Sequence, residues 1–321
     1  MKSMANLFLQ QANVNYPLIC GPMYPCSNPE LVAAVSESGG LGIIQPLSLS
    51  YVHGYPLKEG IQTIRRLTNK PLGMNLLIEK SSQRYQHKMQ NFMDIALDEG
   101  ISFFITSLGK PDWVVEKAHS AEAYVYHDVT QPHWAQIAIK AGVDGLIAVN
   151  NHAGGHAGDI AMAILYEQLK DTGLPIVAAG GISDRAGYQT ALATGYSAVQ
   201  MGTRFIASAE CTASMAYKQA ILSANATDIV LTKKITGIPV SVIDNNYVKR
   251  RGTRLNRLEE YLLKYQSAKH LMRIVKFVIS MYQLKHSMFS DEVDKDYWQA
   301  GKSVEYIHSI ESVKDIVESI V

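Results

Sequence analysis

The run Asn150–Asn151–His152–Ala153–Gly154–Gly155–His156–Ala157–Gly158 sets two histidines four residues apart among three glycines. Histidine is the side chain that moves protons near neutral pH. Glycine, lacking a Cβ, lets the backbone come close to a flat or anionic ligand, and Gly154 and Gly155 are placed to do so. These types suit a catalytic base beside a bound cofactor, and His156 is the candidate base. His152 would orient a substrate, tune His156 or only hydrogen-bond within the loop. The plainer alternative for His156 is a loop histidine that holds its own turn. Spacing would also let the two histidines ligate a metal. Against that, glycines stand where a metal-binding helix has helix formers, and no adjacent carboxylate offers a third ligand. No metal is expected.

A second pair of runs suits phosphate. Ala179–Gly180–Gly181–Ile182 and Gln200–Met201–Gly202–Thr203–Arg204 each follow an apolar stretch. Loops of this kind offer backbone N–H groups to a phosphate, helped by a helix N-terminus. The alternative is a tight turn at each place. Met23, after Gly21–Pro22, is open between packing on a flat ring and lying in the core. Asn75 interrupts the apolar 72–77 and needs a buried partner, either a ligand or a neighbouring strand. Cys20 and Cys26 lack an activating pattern and read as structural.

The elements that must present these residues follow from periodicity. Apolar runs at 17–21, 41–44, 71–76, 101–106, 123–127, 143–149, 175–179 and 197–201 read as strands. Amphipathic segments between them read as helices at 29–38, 57–67, 85–99, 113–119, 134–141 and 160–166, with a seventh starting at Asp184. Asn28 and Asp159 are the expected N-caps of the first and sixth. Strict alternation implies parallel strands with right-handed crossovers, and eight units in one domain predict a closed (β/α)₈ TIM-type barrel over an open sheet. Polar and glycine residues gather after these strands, where barrels carry function. His127–Asp128 ends the fifth.

After Arg204 the alternation stops. Residues 210–223 read as helix and 229–243 as extended segments and turns, and 249–254 is a basic run read as a solvated loop. Leu258, Tyr261, Leu262, Tyr265, Leu271, Ile274, Val275, Val278 and Tyr282 recur at helical spacing and predict a helical cap packed on the barrel. The expected division is a barrel over 1–243, joined by a closing segment at 290–321, and a mainly helical cap over 244–289.

The 321 residues are 47% hydrophobic and 18% charged with a net charge of +1, a balance that gives no field for nucleic acid or a membrane surface. The three cysteines suggest a reducing compartment. With no signal-peptide pattern and no run of about 20 apolar residues, a soluble cytoplasmic protein is expected, with a homodimer as an open option.

Gly21–Pro22–Met23, Gly39–Gly40–Leu41–Gly42, Ala153–Gly154–Gly155–His156–Ala157–Gly158, Ala179–Gly180–Gly181–Ile182 and Gln200–Met201–Gly202–Thr203–Arg204–Phe205 occur in that order. Together they resemble the nitronate monooxygenase family, formerly 2-nitropropane dioxygenases, which also holds FMN-dependent enoyl-acyl-carrier-protein reductases. The resemblance spans 17–243, and Trp298–Gln299–Ala300–Gly301–Lys302–Ser303–Val304 looks like the family's closing motif. It implies a TIM barrel with a helical subdomain that binds FMN without metal. By the same resemblance Gly21, Pro22 and Met23 lie against the isoalloxazine and Asn75 hydrogen-bonds the flavin. Gly180, Gly181, Gln200, Gly202 and Thr203 hold the phosphate end, and His156 is the base. Two positions depart from the pattern. Many members carry glutamate where this chain has His152, and lysine is common near His127–Asp128. Both change the charge near the substrate, so His152 and His127 are candidate substrate contacts.

The resulting expectation is oxidation of an alkyl nitronate with O₂ to a carbonyl compound and nitrite. Alternatives are NAD(P)H-dependent reduction of an enoyl thioester or quinone, and a non-catalytic flavin sensor.

Overall fold

Each apolar run before residue 202 forms a strand, and each strand pairs in parallel with the next. The computed structural model describes residues 4–79, 82–235, 237–256, 266–291 and 296–321. Its strands are β1 (Leu18–Cys20), β2 (Leu41–Ile44), β3 (Leu72–Ile78), β4 (Phe103–Leu108), β5 (Tyr124–Val129), β6 (Gly145–Val149), β7 (Ile176–Ala179) and β8 (Ala198–Met201). β8 pairs back onto β1, with Ile19 opposite Gln200, and the barrel closes. This is the (β/α)₈ architecture that the alternation predicts.

The floor of the barrel is a helix that the periodicity did not announce, α1 (Met4–Ala12). Its Phe8 is fully buried and meets Phe103 and Tyr126 edge-on, at centroid distances of 6.3 and 5.9 Å. Tyr126 Oη donates to Gln11 Oε1 at 2.7 Å. Above this plug Ile19, Ile43, Ile105, Tyr126, Ile147, Val177 and Ala198 fill the interior. Gly145 has no alternative there, because a Cβ would sit 2.3 Å from the Tyr126 ring.

The outer ring begins with α2 (Pro29–Glu37), α3 (Leu57–Leu67), α4 (Gln83–Asp98) and α5 (Asp112–Ser120). It continues with α6 (Pro132–Lys140), α7 (Met162–Leu169) and α8 (Arg185–Thr194). Asp184 caps α8 by accepting from Gly187 N at 2.8 Å. The two expected caps differ. Asn28 precedes α2, but its side chain turns away to bond Glu30, Glu210 O and Thr212 N. Asp159 is not the cap of α7, which starts three residues later behind Ala161. A bond from Asn151 N to Ile160 O at 3.0 Å keeps the segment before it in the loop.

After β8 comes a single turn, α9 (Thr203–Ile206), then α10 (Met215–Ser223). A hairpin of β9 (Ile229–Thr232) and β10 (Val240–Ile243) lies outside the closed barrel. With α11 (Asn246–Arg251) and α12 (Gln266–Phe289) it forms a separate core of Ile235, Val240, Val242, Val248, Leu284 and Tyr297. α9 is too short for the eighth outer helix, and the last helix, α13 (Val313–Ile320), fills that place between α8 and α2. Buried Arg204 ties this segment down, bonding Glu311 Oε2 at 2.6 Å and Ser309 O at 2.8 Å.

α12 confirms helical spacing but not the buried face expected of it. Val275, Val278 and Tyr282 are exposed, whereas Lys276, Ser280, Leu284, Ser287 and Met288 are buried. The inward face is chosen by partners outside the helix, with Trp298 Nε1 donating to Ser287 O and Tyr24 Oη, far back in the chain, to Met281 O. Leu258, Tyr261, Leu262 and Tyr265 lie outside the described residues, as do the side chains of Leu271 and Ile274. No helix among the described residues is long and apolar enough to cross a membrane.

Candidate active site

Strand residues alternate between the barrel interior and the helix layer, so parity decides which side chains reach the mouth. On β5 the interior positions are Tyr124, Tyr126 and then Asp128. On β3 and β8 they include Asn75 and Gln200, and Gly21 is the next interior position after Ile19. Gly21 is small by necessity, since a Cβ would lie 2.9 Å from the Gln200 side chain. Asn75 finds a neighbouring strand as partner, donating from Nδ2 to Ile105 O at 3.1 Å. Gln200 Oε1 and Asp128 Oδ1 are buried without a partner. Buried polar atoms are nearly always bonded, so each of these asks for a missing one. Burial also pushes the Asp128 carboxyl up to about 7.

The loop after β6 folds around buried Asn150. Its Nδ2 donates to Gly180 O at 2.9 Å, its Oδ1 accepts from His152 N at 2.8 Å, and its carbonyl accepts from Gly158 N at 3.2 Å. Beyond it, Gly155 O accepts from Ser241 N at 2.7 Å and His152 O from Lys302 N at 3.0 Å. The loop is thus clamped between the hairpin and the C-terminal segment. Gly154 packs so closely that a Cβ would lie 2.8 Å from Gly301 N. His156 keeps an exposed surface, yet burial of its ring lowers its pKa below 6.5. The His152 pKa is lowered too, by burial and then by nearby Lys302.

Gly180 and Gly181 follow β7 with φ of +115° and +79°. A Cβ on Gly180 would meet Ala153 N at 2.6 Å, and one on Gly181 would meet the His152 Cβ at 2.9 Å. The loops after β6 and β7 therefore interlock through glycine. Gly202 heads α9, and Thr203 Oγ1 accepts from Gly301 N at 3.0 Å. Among the described residues the amides of Gly181, Gly202 and Thr203 find no backbone acceptor, the condition for an anion cradle.

Close approaches thus join Gly21 to Gln200, Gly202 to Met23, Gly154 to Thr203, and Gly180 and Gly181 to Ala153 and His152, while parity turns two expected residues away. Met201 is buried among outer-core residues, and its carbonyl accepts from Gly21 N at 2.9 Å. His127 points into the helix layer, where Nδ1 meets Thr106 Oγ1 at 2.8 Å. Pro22 and Met23 sit half-buried at the mouth, with Met23 Sδ 3.4 Å from where a Gly202 Cβ would be. Asn150 and Asp128 are the members that sequence reasoning left without a role. Period-two alternation from Tyr124 would have found Asp128.

The family model for nitronate monooxygenase matches residues 6–321. The chain belongs to the nitronate monooxygenase family. A Staphylococcus saprophyticus protein described as a probable nitronate monooxygenase is 28% identical, covering 79% of this chain and 82% of the relative. A Rhodococcus jostii dehydrogenase of a hydroxy-methyl-oxo-octahydroindene-carboxyl-CoA is 27% identical, covering 77% of this chain and 68% of the relative. FabK from Thermotoga maritima superposes with a TM-score of 0.80 at 26% identity, over 98% of this chain and 94% of that one. Nitroalkane oxidase from Streptomyces ansochromogenes shares the fold, with a TM-score of 0.79 at 23% identity over 97% and 96% of the two chains. Nitronate monooxygenase family members are flavin-dependent oxidoreductases, and this chain is one by membership. Its mouth suits a flavin: orphaned Gln200 Oε1 can accept from a ribityl hydroxyl, and the glycine amides can take a phosphate.

Proposed function

We propose that this protein is an FMN-dependent nitronate monooxygenase of the cytoplasm, oxidising small alkyl nitronates with O₂ to a carbonyl compound and nitrite. The observations that carry the reading are His156 on its glycine loop, an imidazole whose pKa burial lowers, and the orphaned buried acceptor of Gln200 at the end of β8. FMN supplies the electron chemistry when bound. The chain supplies position and proton management. The amides of Gly181, Gly202 and Thr203 hold the phosphate, and Gly21, Pro22 and Met23 lie along the ring beside Asn75. Gly154 and Gly155 bring the backbone close, and His156 takes the α-proton of a neutral nitroalkane, which leaves the nitronate to be oxidised. His152, exposed at the rim, contacts the substrate.

The test is nitrite release from propane-2-nitronate under air by FMN-loaded protein, with the flavin spectrum followed anaerobically. No nitrite from any small nitronate defeats the reading.

The likeness to FabK and to a CoA-thioester dehydrogenase supports a second reading, NAD(P)H-dependent reduction of an enoyl thioester or quinone at the same flavin. NADH or NADPH oxidation with such an acceptor, and silence with nitronates, would select it.

A further inference from the structure

We propose that Asp128 is a proton-bearing residue of the cofactor recess, a neutral carboxylic acid that pairs with the imide edge of the flavin ring. The inference rests on the flavin reading and adds a ring contact to it.

Geometry makes the case first. Asp128 is the last interior-facing residue of β5, directly above Tyr126, at the end of the barrel where strands carry function. Its neighbours along the sheet are neutral. Ile147 of β6 is its register partner, and Ser107 of β4 follows the paired Thr106 and His127. Its Oδ1 is buried, and among the described residues its side chain makes neither hydrogen bond nor ion pair. The titratable groups of the surrounding strand ends are Glu79 after β3, Tyr126 on β5, and His152 and His156 after β6. None of them shifts Asp128; burial alone does.

An ionised carboxyl in such a place would be costly, since among the described residues no cation offsets its lost hydration. A neutral one still has an O–H to donate and a carbonyl that can accept. The flavin imide offers the matching pair, a carbonyl beside an N–H. His127 cannot serve in its place, because alternation turns it outward to Thr106.

The experiment is FMN binding to flavin-free protein by fluorescence quenching from pH 5.5 to 8.5, for wild type and Asp128→Asn. Ionisation near 7 should weaken wild-type binding about tenfold per pH unit above that point, in excess of the variant. Asparagine keeps a donor and an acceptor but cannot ionise, so this excess should vanish while affinity at pH 6 stays within a few-fold. Identical pH profiles for both proteins overturn the role of Asp128 and leave the flavin reading standing. Absence of FMN binding in both overturns the two together. Should the variant fail to fold, carbon-13 NMR of labelled aspartate in the wild type decides. A signal assigned to Asp128 that titrates near 4 overturns the proposal, and one that titrates near 7 supports it.

Discussion

Asn150 donates from Nδ2 to the carbonyl of Gly180 at 2.9 Å, and through that bond the loops after β6 and β7 hold one shape. The same side chain accepts from His152 N, so one amide fixes the start of the loop that carries His156 and the glycines proposed to take phosphate.

Asn150→Ala should therefore cost more than its size suggests. It leaves a buried carbonyl and an N–H without partners, a loss of about 1–3 kcal/mol. Urea unfolding should register that loss, and FMN affinity should fall with it, because both loops relax together. Unchanged stability and unchanged affinity would show that the loops hold themselves.

Gly180 and Gly202 should respond differently to the same added methyl. At Gly180 φ is +115° and a Cβ would press on Ala153 N at 2.6 Å. Strain and overlap together should cost about 3 kcal/mol or more, or abolish soluble expression. At Gly202 φ is −121°, and the nearest atom is the flexible Met23 Sδ at 3.4 Å. Gly202→Ala should fold within about 1 kcal/mol of wild type yet bind FMN at least about tenfold more weakly, because the methyl enters the phosphate cradle. Equal effects on folding and binding at both sites would contradict this assignment.

His156→Ala should retain FMN and lose turnover of a neutral nitroalkane by about 10²–10⁴-fold, the usual worth of a positioned base, while preformed nitronate is affected less. Burial lowers the His156 pKa from 6.5, so the neutral base prevails at pH 7. With the neutral nitroalkane as substrate, kcat/KM should stay level down to pH 6.5 and fall only below it, as the imidazole gains its proton. In the variant that acid limb should disappear. A limb that survives belongs to another group.

The barrel was legible because its strands are short apolar runs bounded by glycine and proline, a pattern that local physics alone produces. α1 was not, since residues 4–12 carry no cap signal and their helix is secured by Phe8 entering a barrel made by residues far along the chain. The glycine loops showed where ligands approach. The choice between His127 and Asp128 needed parity, because one residue along a strand exchanges the two faces. Periodicity marked α12 as helical, but Trp298 and Tyr24 decide which side of it is buried.

That reversal of faces predicts two opposed pH effects on the stability of flavin-free protein. Burial lowers the His127 pKa to about 4 from 6.5, so between those values the unfolded chain binds more protons and stability rises with pH. Burial raises Asp128 to about 7 from 3.8, so across that range the folded chain binds more protons and stability falls with pH. Each slope amounts to at most about 3–4 kcal/mol over its range, less for half-buried Asp128 where water screens it. In the wild type the two largely cancel between pH 4 and 6.5. His127→Gln should expose the Asp128 slope, making the protein less stable relative to wild type as pH rises from 4 to 6.5. Asp128→Asn should do the opposite. Urea midpoints at half-unit pH steps measure both differences, and parallel curves for all three proteins would mean that neither group is held neutral by the fold.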